Sequence, residues 1–236
     1  MIKTALQYLL TLANAQQLQI GGREYVNGSI HPVKPPTQND LGISTLTAIE
    51  DYFRDNPDKI DLTQAVIHIK SHDKVEVVSA VNGEWIQRHE YLTASTTPKQ
   101  YPFGRYLSIE EFIIAVQSFF LQDDTTAMLL ALVGNLSDDT AVRYQDDGIT
   151  QEVTAKVGIA RIGNVPLPNP VVLAPYRTFL EVAQPSSKFV FRLKKGDSGP
   201  MAMLVEADGG NWQLQCIKLI RDYLRVTLPT GTTILA

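Results

Sequence analysis

The chain has 236 residues, 44% of them hydrophobic and 19% charged, with a formal net charge of −4. That balance describes a globular chain rather than a disordered one, and no apolar run reaches the ~18 residues of a bilayer-crossing helix, so no membrane association is expected. Acidic net charge gives no overall attraction to phosphate and confines any nucleic-acid contact to a local basic patch. The single cysteine, Cys216, leaves no intramolecular disulfide and fits a reducing cytoplasm.

Residues 2–16 place Ile2, Ala5, Leu6, Leu9, Leu10, Leu12 and Ala13 at the spacing of an amphipathic helix. Gln7, Asn14, Gln16 and Gln17 interrupt the apolar stretch, and no small-residue cleavage site follows, so a secretion signal is not expected. Between Arg23 and Val33, Asn27-Gly28 separates two short alternating runs and predicts a small hairpin, after which residues 34–39 read as a linker. The expected organisation is an N-terminal segment, 1–40, and a main domain, 41–236, with room for two subdomains that meet near 95–106.

In the main domain Ser44 is the expected N-cap of a helix that carries Leu46, Ile49, Tyr52 and Phe53 and stops at Asn56-Pro57. Residues 65–70, 74–81 and 84–91 then predict an antiparallel meander of three strands, followed by a polar loop over 93–100. Ser108-Ile109-Glu110-Glu111 is a capping box ahead of Phe112, Ile113, Val116, Phe119 and Phe120. Asp123 or Asp124 heads a further helix through Leu136, apolar nearly all round over 128–133. Thr140 to Gly158 alternates apolar and polar residues on both sides of Asp146-Asp147-Gly148, the pattern of a hairpin. Pro166, Pro168, Pro170 and Pro175 make 159–175 extended, edge or loop. Strands are predicted again over 188–193 and 201–206. Asp208-Gly209-Gly210-Asn211 then turns into a last helix carrying Trp212, Leu214, Ile217, Ile220 and Leu224. Helices interspersed with hairpins predict an α+β fold, with mainly antiparallel sheets, packed helices and an N-terminal helical extension.

No complete catalytic constellation emerges. Gly196-Asp197-Ser198-Gly199-Pro200 resembles the nucleophile segment of trypsin-like serine proteases, but it lacks one glycine of that pattern and no histidine has the accompanying context, so a turn between two strands is the better reading. His68 and His72 are four apart, yet a strand rather than a helix separates them, and they are not expected to share a metal. Three Asp-Asp pairs, 123–124, 138–139 and 146–147, offer hard oxygen ligands; Asp146 and Asp147 are the weak metal candidates, although caps and turns also use such residues. Cys216 sits on the apolar face of the last helix, where a thiol is inert packing. Tyr176-Arg177-Thr178-Phe179 sets an arginine among aromatics, able to stack on or clamp an anionic ligand or to form a structural ion pair with Glu181 or a hairpin acid.

Five segments, FGRYLSIEEFI (103–113), QDDGITQEVTAKVG (145–158), PYRTFLEVAQP (175–185), FVFRLKKG (189–196) and EADGGNWQLQCIKLIRDYL (206–224), together resemble a bacteriophage and prophage protein family of unknown function, the YfdQ-like proteins. The resemblance spans roughly residues 40–236. It implies a phage genome and action in the cytoplasm of an infected bacterium, and it carries over no activity, cofactor or catalytic residue. The expected function is a non-enzymatic accessory module that oligomerises or binds a ligand, a host protein or a phage protein, with no cofactor. Two alternatives stand beside it. A nucleic-acid role would use Tyr176, Arg177, Lys188, Arg192, Lys194 and Lys195 as a cationic and aromatic surface. A metal-dependent hydrolase would use the Asp pairs to activate water.

Overall fold

A computed structural model describes residues 2–13, 17–26, 31–32, 39–81, 87–136, 143–146, 151–154, 156–157, 160–161, 169–197 and 199–236. The fold is α+β. Helix α1 (Ile2–Ala13) precedes a small antiparallel sheet of β1 (Gln17–Ile20), β2 (Arg23–Val26) and β3 (His31–Pro32). Two hairpins build it. The expected one joins β2 to β3 across 27–30, which lie outside the described residues; the other turns at Gly21-Gly22, both at positive φ, where the sequence pattern predicts no strand. Ile2, Leu6 and Tyr8 on α1 are exposed, and among the described side chains of residues 2–8 and 17–26 none belongs to either buried hydrophobic cluster.

The main body begins with β4 (Leu41–Ile43) and α2 (Thr47–Asp55). Ser44 does not cap α2. Glu181 does so from 135 residues away, its Oε1 accepting the Leu46 N–H at 2.7 Å and the Thr47 N–H at 3.3 Å. A carboxylate there satisfies donors that a helix leaves open and complements the positive end of its dipole. Asn56 ends α2 in the left-handed conformation. Next come β5 (Val66–Ser71), β6 (Lys74–Val78) and β7 (Glu90–Ser95). The meander is as expected, but its third strand lies later than 84–91. Leu92 and Ala94 are the residues that point inward opposite Val77 and Val75, while Thr93 and Ser95 between them give the run its loop-like polarity.

Strand β8 (Leu107–Ser108) leads into α3 (Ile109–Phe119), whose N-terminus carries both hydrogen bonds of the Ser108/Glu111 capping box. Asp123 caps α4 (Asp124–Gly134) by accepting from the Thr126 N–H at 2.7 Å. Of the 140–158 hairpin, β9 (Arg143–Asp146) and β10 (Gln151–Thr154) pair antiparallel with Tyr144 opposite Val153, and the turn lies outside the described residues. Two short strands follow, β11 (Lys156–Val157) and β12 (Ala160–Arg161), then β13 (Val171–Leu173). The long hairpin of β14 (Ser187–Gly196) and β15 (Gly199–Glu206) pairs Gly196 with Gly199, so the protease-like pentapeptide is its tip. A Cβ on Gly196 would stand 2.8 Å from the Met201 sulfur and 3.0 Å from the Gly199 carbonyl, which accounts for glycine there. Helix α5 (Asn211–Thr227) buries Trp212, Cys216, Ile220 and Leu224 at four-residue spacing and leaves Leu214 exposed, contrary to the expected face. The last strand, β16 (Thr233–Leu235), pairs parallel with β5.

Apart from the two-stranded pairs β9-β10 and β11-β12, the strands of the main body form two sheets with separate cores. The order β16-β5-β6-β7-β4 places the antiparallel meander between two parallel edge strands, and α2 and α5 cover one face with Ile49, Phe53, Ile220 and Leu224 against Ile67, Val75 and Val77. The order β13-β14-β15-β8 carries α3 and α4 on its inner face, with Phe112, Phe120 and Leu129 against Phe189, Phe191 and Leu204. Residues 174–186 pass from the second core to the first: Leu173 belongs to one, Phe179 and Val182 to the other. Among the described residues no helix is long and apolar enough to cross a membrane. Glu181→Ala is expected to cost about 1 kcal/mol through the lost cap of α2, and Thr45→Ala, whose hydroxyl accepts the Ala48 N–H at 3.3 Å, about 0.5 kcal/mol. Urea denaturation checks both, and an unchanged midpoint for Glu181→Ala refutes the remote cap.

Candidate functional site

Residues 174–186 begin as an extended stretch laid against the end of α3. The Leu121 N–H donates to the Ala174 carbonyl at 2.8 Å and the Tyr176 N–H to the Phe119 carbonyl at 2.9 Å. Beyond Tyr176 the chain folds into a loop closed by Gln184. The Gln184 Oε1 accepts the Arg177 and Thr178 N–H groups at 2.8 and 3.3 Å, and its Nε2 donates to the Phe179 and Val182 carbonyls. One side chain therefore satisfies four backbone groups, and the Arg177 side chain is thrown inward between the two cores.

Arg177 is only 6% exposed. Its guanidinium carbon lies 4.3 Å from the Trp212 ring centroid, 5.2 Å from that of Phe103 and 5.3 Å from that of Phe189. Nη2 pairs with Glu206 at the end of β15, and Nη1 donates to Ser187 Oγ at 3.2 Å, which in turn donates to Asp208 at 2.8 Å. Burial disfavours the guanidinium charge, and Glu206 and Asp208 partly restore it. The expected ion pair thus exists with Glu206; Glu181 is spent on α2. His72, in the β5–β6 turn, meets the edge of Trp212 at 4.7 Å, and its carbonyl accepts the Thr178 hydroxyl. Behind this group lies Cys216, fully buried, its thiol pushed up to about 11 by burial despite the Thr178 hydroxyl and the Arg177 charge. Such a thiol is protonated at neutral pH and has no nucleophilic character.

In front of Arg177 a cavity of about 270 Å³ opens along the seam between the cores. Its walls are aromatic, from Tyr101, Phe103, Phe119, Tyr176 and Trp212, with Glu206 as its carboxylate. Tyr101 is 3% exposed, and its buried hydroxyl has no hydrogen-bond partner. Burial holds that hydroxyl above its ordinary pKa, so it is protonated and able to donate. A second depression, about 570 Å³, shares Pro98, Phe119 and Tyr176 with the first and runs on to the exposed Ile114 and Leu180. Arg177 lines the first and not the second.

The residues proposed from sequence fall into two places. Tyr176 and Arg177 line the first cavity. Lys188, Arg192 and Lys194 share the outer face of β14, opposite the face that presents Phe189 to Arg177, and Lys194 lies 4.1 Å over the Tyr106 ring. Val172, Val190, Met201, Met203, Val205 and Ser108 share that outer face, and no outward position on β13, β14, β15 or β8 is acidic. Lys195 has the inward parity and stands at the hairpin tip. Asp146 ends β9, and Asp147, Asp138 and Asp139 lie outside the described residues. Among the described residues no group of three or more His, Cys, Asp or Glu side chains is placed to hold a metal. Trp212, Phe103, Tyr101 and Glu206 carry no local signal of a site, and His72 is marked in the sequence only by its spacing from His68, because these residues come together through contacts between distant segments. The chain matches no protein-family model, no curated protein and no solved structure.

Arg177→Leu is expected to cost about 2–4 kcal/mol, since it removes the stacked cation and strands the carboxylate of Glu206. Glu206→Gln, whose carboxylate is 38% exposed, should cost only about 1 kcal/mol. Equal urea midpoints for Arg177→Leu and the parent protein would remove Arg177 from its structural role.

Proposed function

We propose that this is a phage-encoded accessory protein that works by binding rather than catalysis, in the cytoplasm of an infected bacterium, with the seam cavity as its ligand site. The phage origin rests on the resemblance of the segments at 103–113, 145–158, 175–185, 189–196 and 206–224. The binding role rests chiefly on one observation: an aromatic-walled cavity of about 270 Å³ at the seam of the two cores, with the Arg177–Glu206 pair in its lining. Concave, mostly apolar clefts with a few placed polar groups are where small ligands bind, and junctions between packed units are a favoured place for them. Saturation-transfer NMR with indole and phenol at about 1 mM is expected to detect binding. Tyr176→Ala, which removes the wall common to both depressions, should weaken it by about tenfold. Absence of transfer from either probe would overturn the cavity as a binding site.

A nucleic-acid reading has separate support in the outer face of β14, where Lys188, Arg192 and Lys194 lie among valines and methionines with no acid beside them on the sheet. It predicts that single-stranded DNA binds at low salt. Converting the three cations to glutamate should make the slope of log affinity against log salt shallower by about two. Fluorescence anisotropy without signal at micromolar protein and low salt would reject it.

A further inference from the structure

We infer that the outer face of the β13-β14-β15-β8 sheet is a docking surface for an acidic amphipathic helix of another protein. This surface is independent of the seam cavity. Helices α3 and α4 pack on the inner side of the sheet, whereas on the outer side Val172 is 46% exposed and Val205 36%. A sheet buries each apolar face against a further layer, so the outer side calls for a partner.

The cross-strand register fixes what that partner meets. Val190 stands opposite Val205, Arg192 opposite Met203 and Lys194 opposite Met201. Val190, Val205, Met203 and Met201 therefore make one aliphatic strip, and Lys188, Arg192 and Lys194 border it along β14 with no acid on the face. An apolar helix face edged with carboxylates complements both features. The dimensions agree: Lys188 to Lys194 covers about 20 Å of strand, the length of a helix of about 13 residues, and two adjacent strands with their side chains match its diameter of about 10 Å. Arg192 and Lys194 lie about 7 Å apart along β14, close to the 6 Å or so between helix positions i and i+4, so two carboxylates four apart meet them together. The two methionines let the strip adapt to what it receives.

Other occupants fit less well. A nucleic-acid strand stacks its bases on aromatic platforms, but the strip is valine and methionine, and the Tyr106 ring already carries Lys194 at 4.1 Å. A second copy docked face to face would set the three cations against their equals.

The test measures fluorescence anisotropy of three labelled peptides of about 14 residues and a single-stranded oligothymidylate against the full chain. One peptide carries a leucine stripe edged with glutamates, the second has lysines for those glutamates, and the third has serines for the leucines. The first is expected to bind at micromolar protein and low salt, and the two controls about tenfold more weakly or worse. Lys188→Glu with Arg192→Glu and Lys194→Glu should weaken the first peptide by about thirtyfold, and Met203→Gln with Val205→Thr by about fivefold. Urea midpoints near the parent's are expected for both variants; if one falls, the other variant and the control peptides decide. Equal binding of either control peptide overturns the proposal, and so does binding indifferent to both variants. Oligothymidylate that binds more tightly than the first peptide, unmoved by Met203→Gln with Val205→Thr, overturns it in favour of a nucleic-acid strand. No binding by any peptide overturns the docking surface and leaves the seam cavity untouched.

Discussion

A guanidinium cannot leave water without company, and the seam of this molecule is built around meeting that requirement for Arg177. Three aromatic rings from three distant segments lie close to it, Phe103 before α3, Phe189 on β14 and Trp212 on α5. Glu206 supplies the countercharge and Ser187 a further acceptor, itself anchored on Asp208. Each partner belongs to an element that also packs elsewhere: Phe189 lies in the core under α3 and α4, and α5 buries Ile220 and Leu224 in the other. Satisfying one cation therefore fixes how the two cores meet. The attraction between Arg177 and the half-exposed Glu206 is offset in large part by the desolvation of the guanidinium.

The neighbouring cavity follows from the same arrangement. Aromatic side chains gathered around a cation are stiff and cannot collapse completely, and the cavity lies where they fail to close against Tyr101 and Tyr176. Its electrostatics are set by the pair behind it. With Arg177 matched to Glu206, the walls present dipoles and ring faces rather than a net field, unlike the outer face of β14, where Lys188, Arg192 and Lys194 stand unopposed on the sheet. The two surfaces differ physically, one a near-neutral aromatic cavity, the other a cationic sheet face.

What could be read from the chain divides along sequence distance. The capping box at Ser108 and Glu111, the Asp123 cap and the end of α2 at Asn56 depend on residues a few positions apart, and local pattern is enough to find them, whereas the 140–158 hairpin is legible as a hairpin but not in its register, since Asp146 pairs with Gln151 rather than turning the chain. The strand 90–95 was displaced because Thr93 and Ser95 dilute the alternation carried by Leu92 and Ala94. The cap of α2 lay beyond reach, since Ser44 is the residue that local rules nominate and Glu181 the one that acts. Strand β16 gave too short a signal, and it exists by pairing with β5 rather than by its own propensity. Of the site, Tyr176 and Arg177 were legible as a cation among aromatics. Their partners were not, because nothing in the sequence marks Trp212 as the ring that a residue 35 positions earlier will stack on.

The loop closed by Gln184 also constrains the order in which the molecule can be assembled. Helix α2 precedes Glu181 by more than a hundred residues, so during synthesis its first turn is complete before the group that caps it exists. The loop in turn places Arg177 against Trp212 and Glu206, which follow later still. Closure over such separations carries an entropic cost before it returns any contact. The contacts at the seam thus draw on both halves of the chain and on the C-terminal helix, and the cap of α2 cannot form within one half alone.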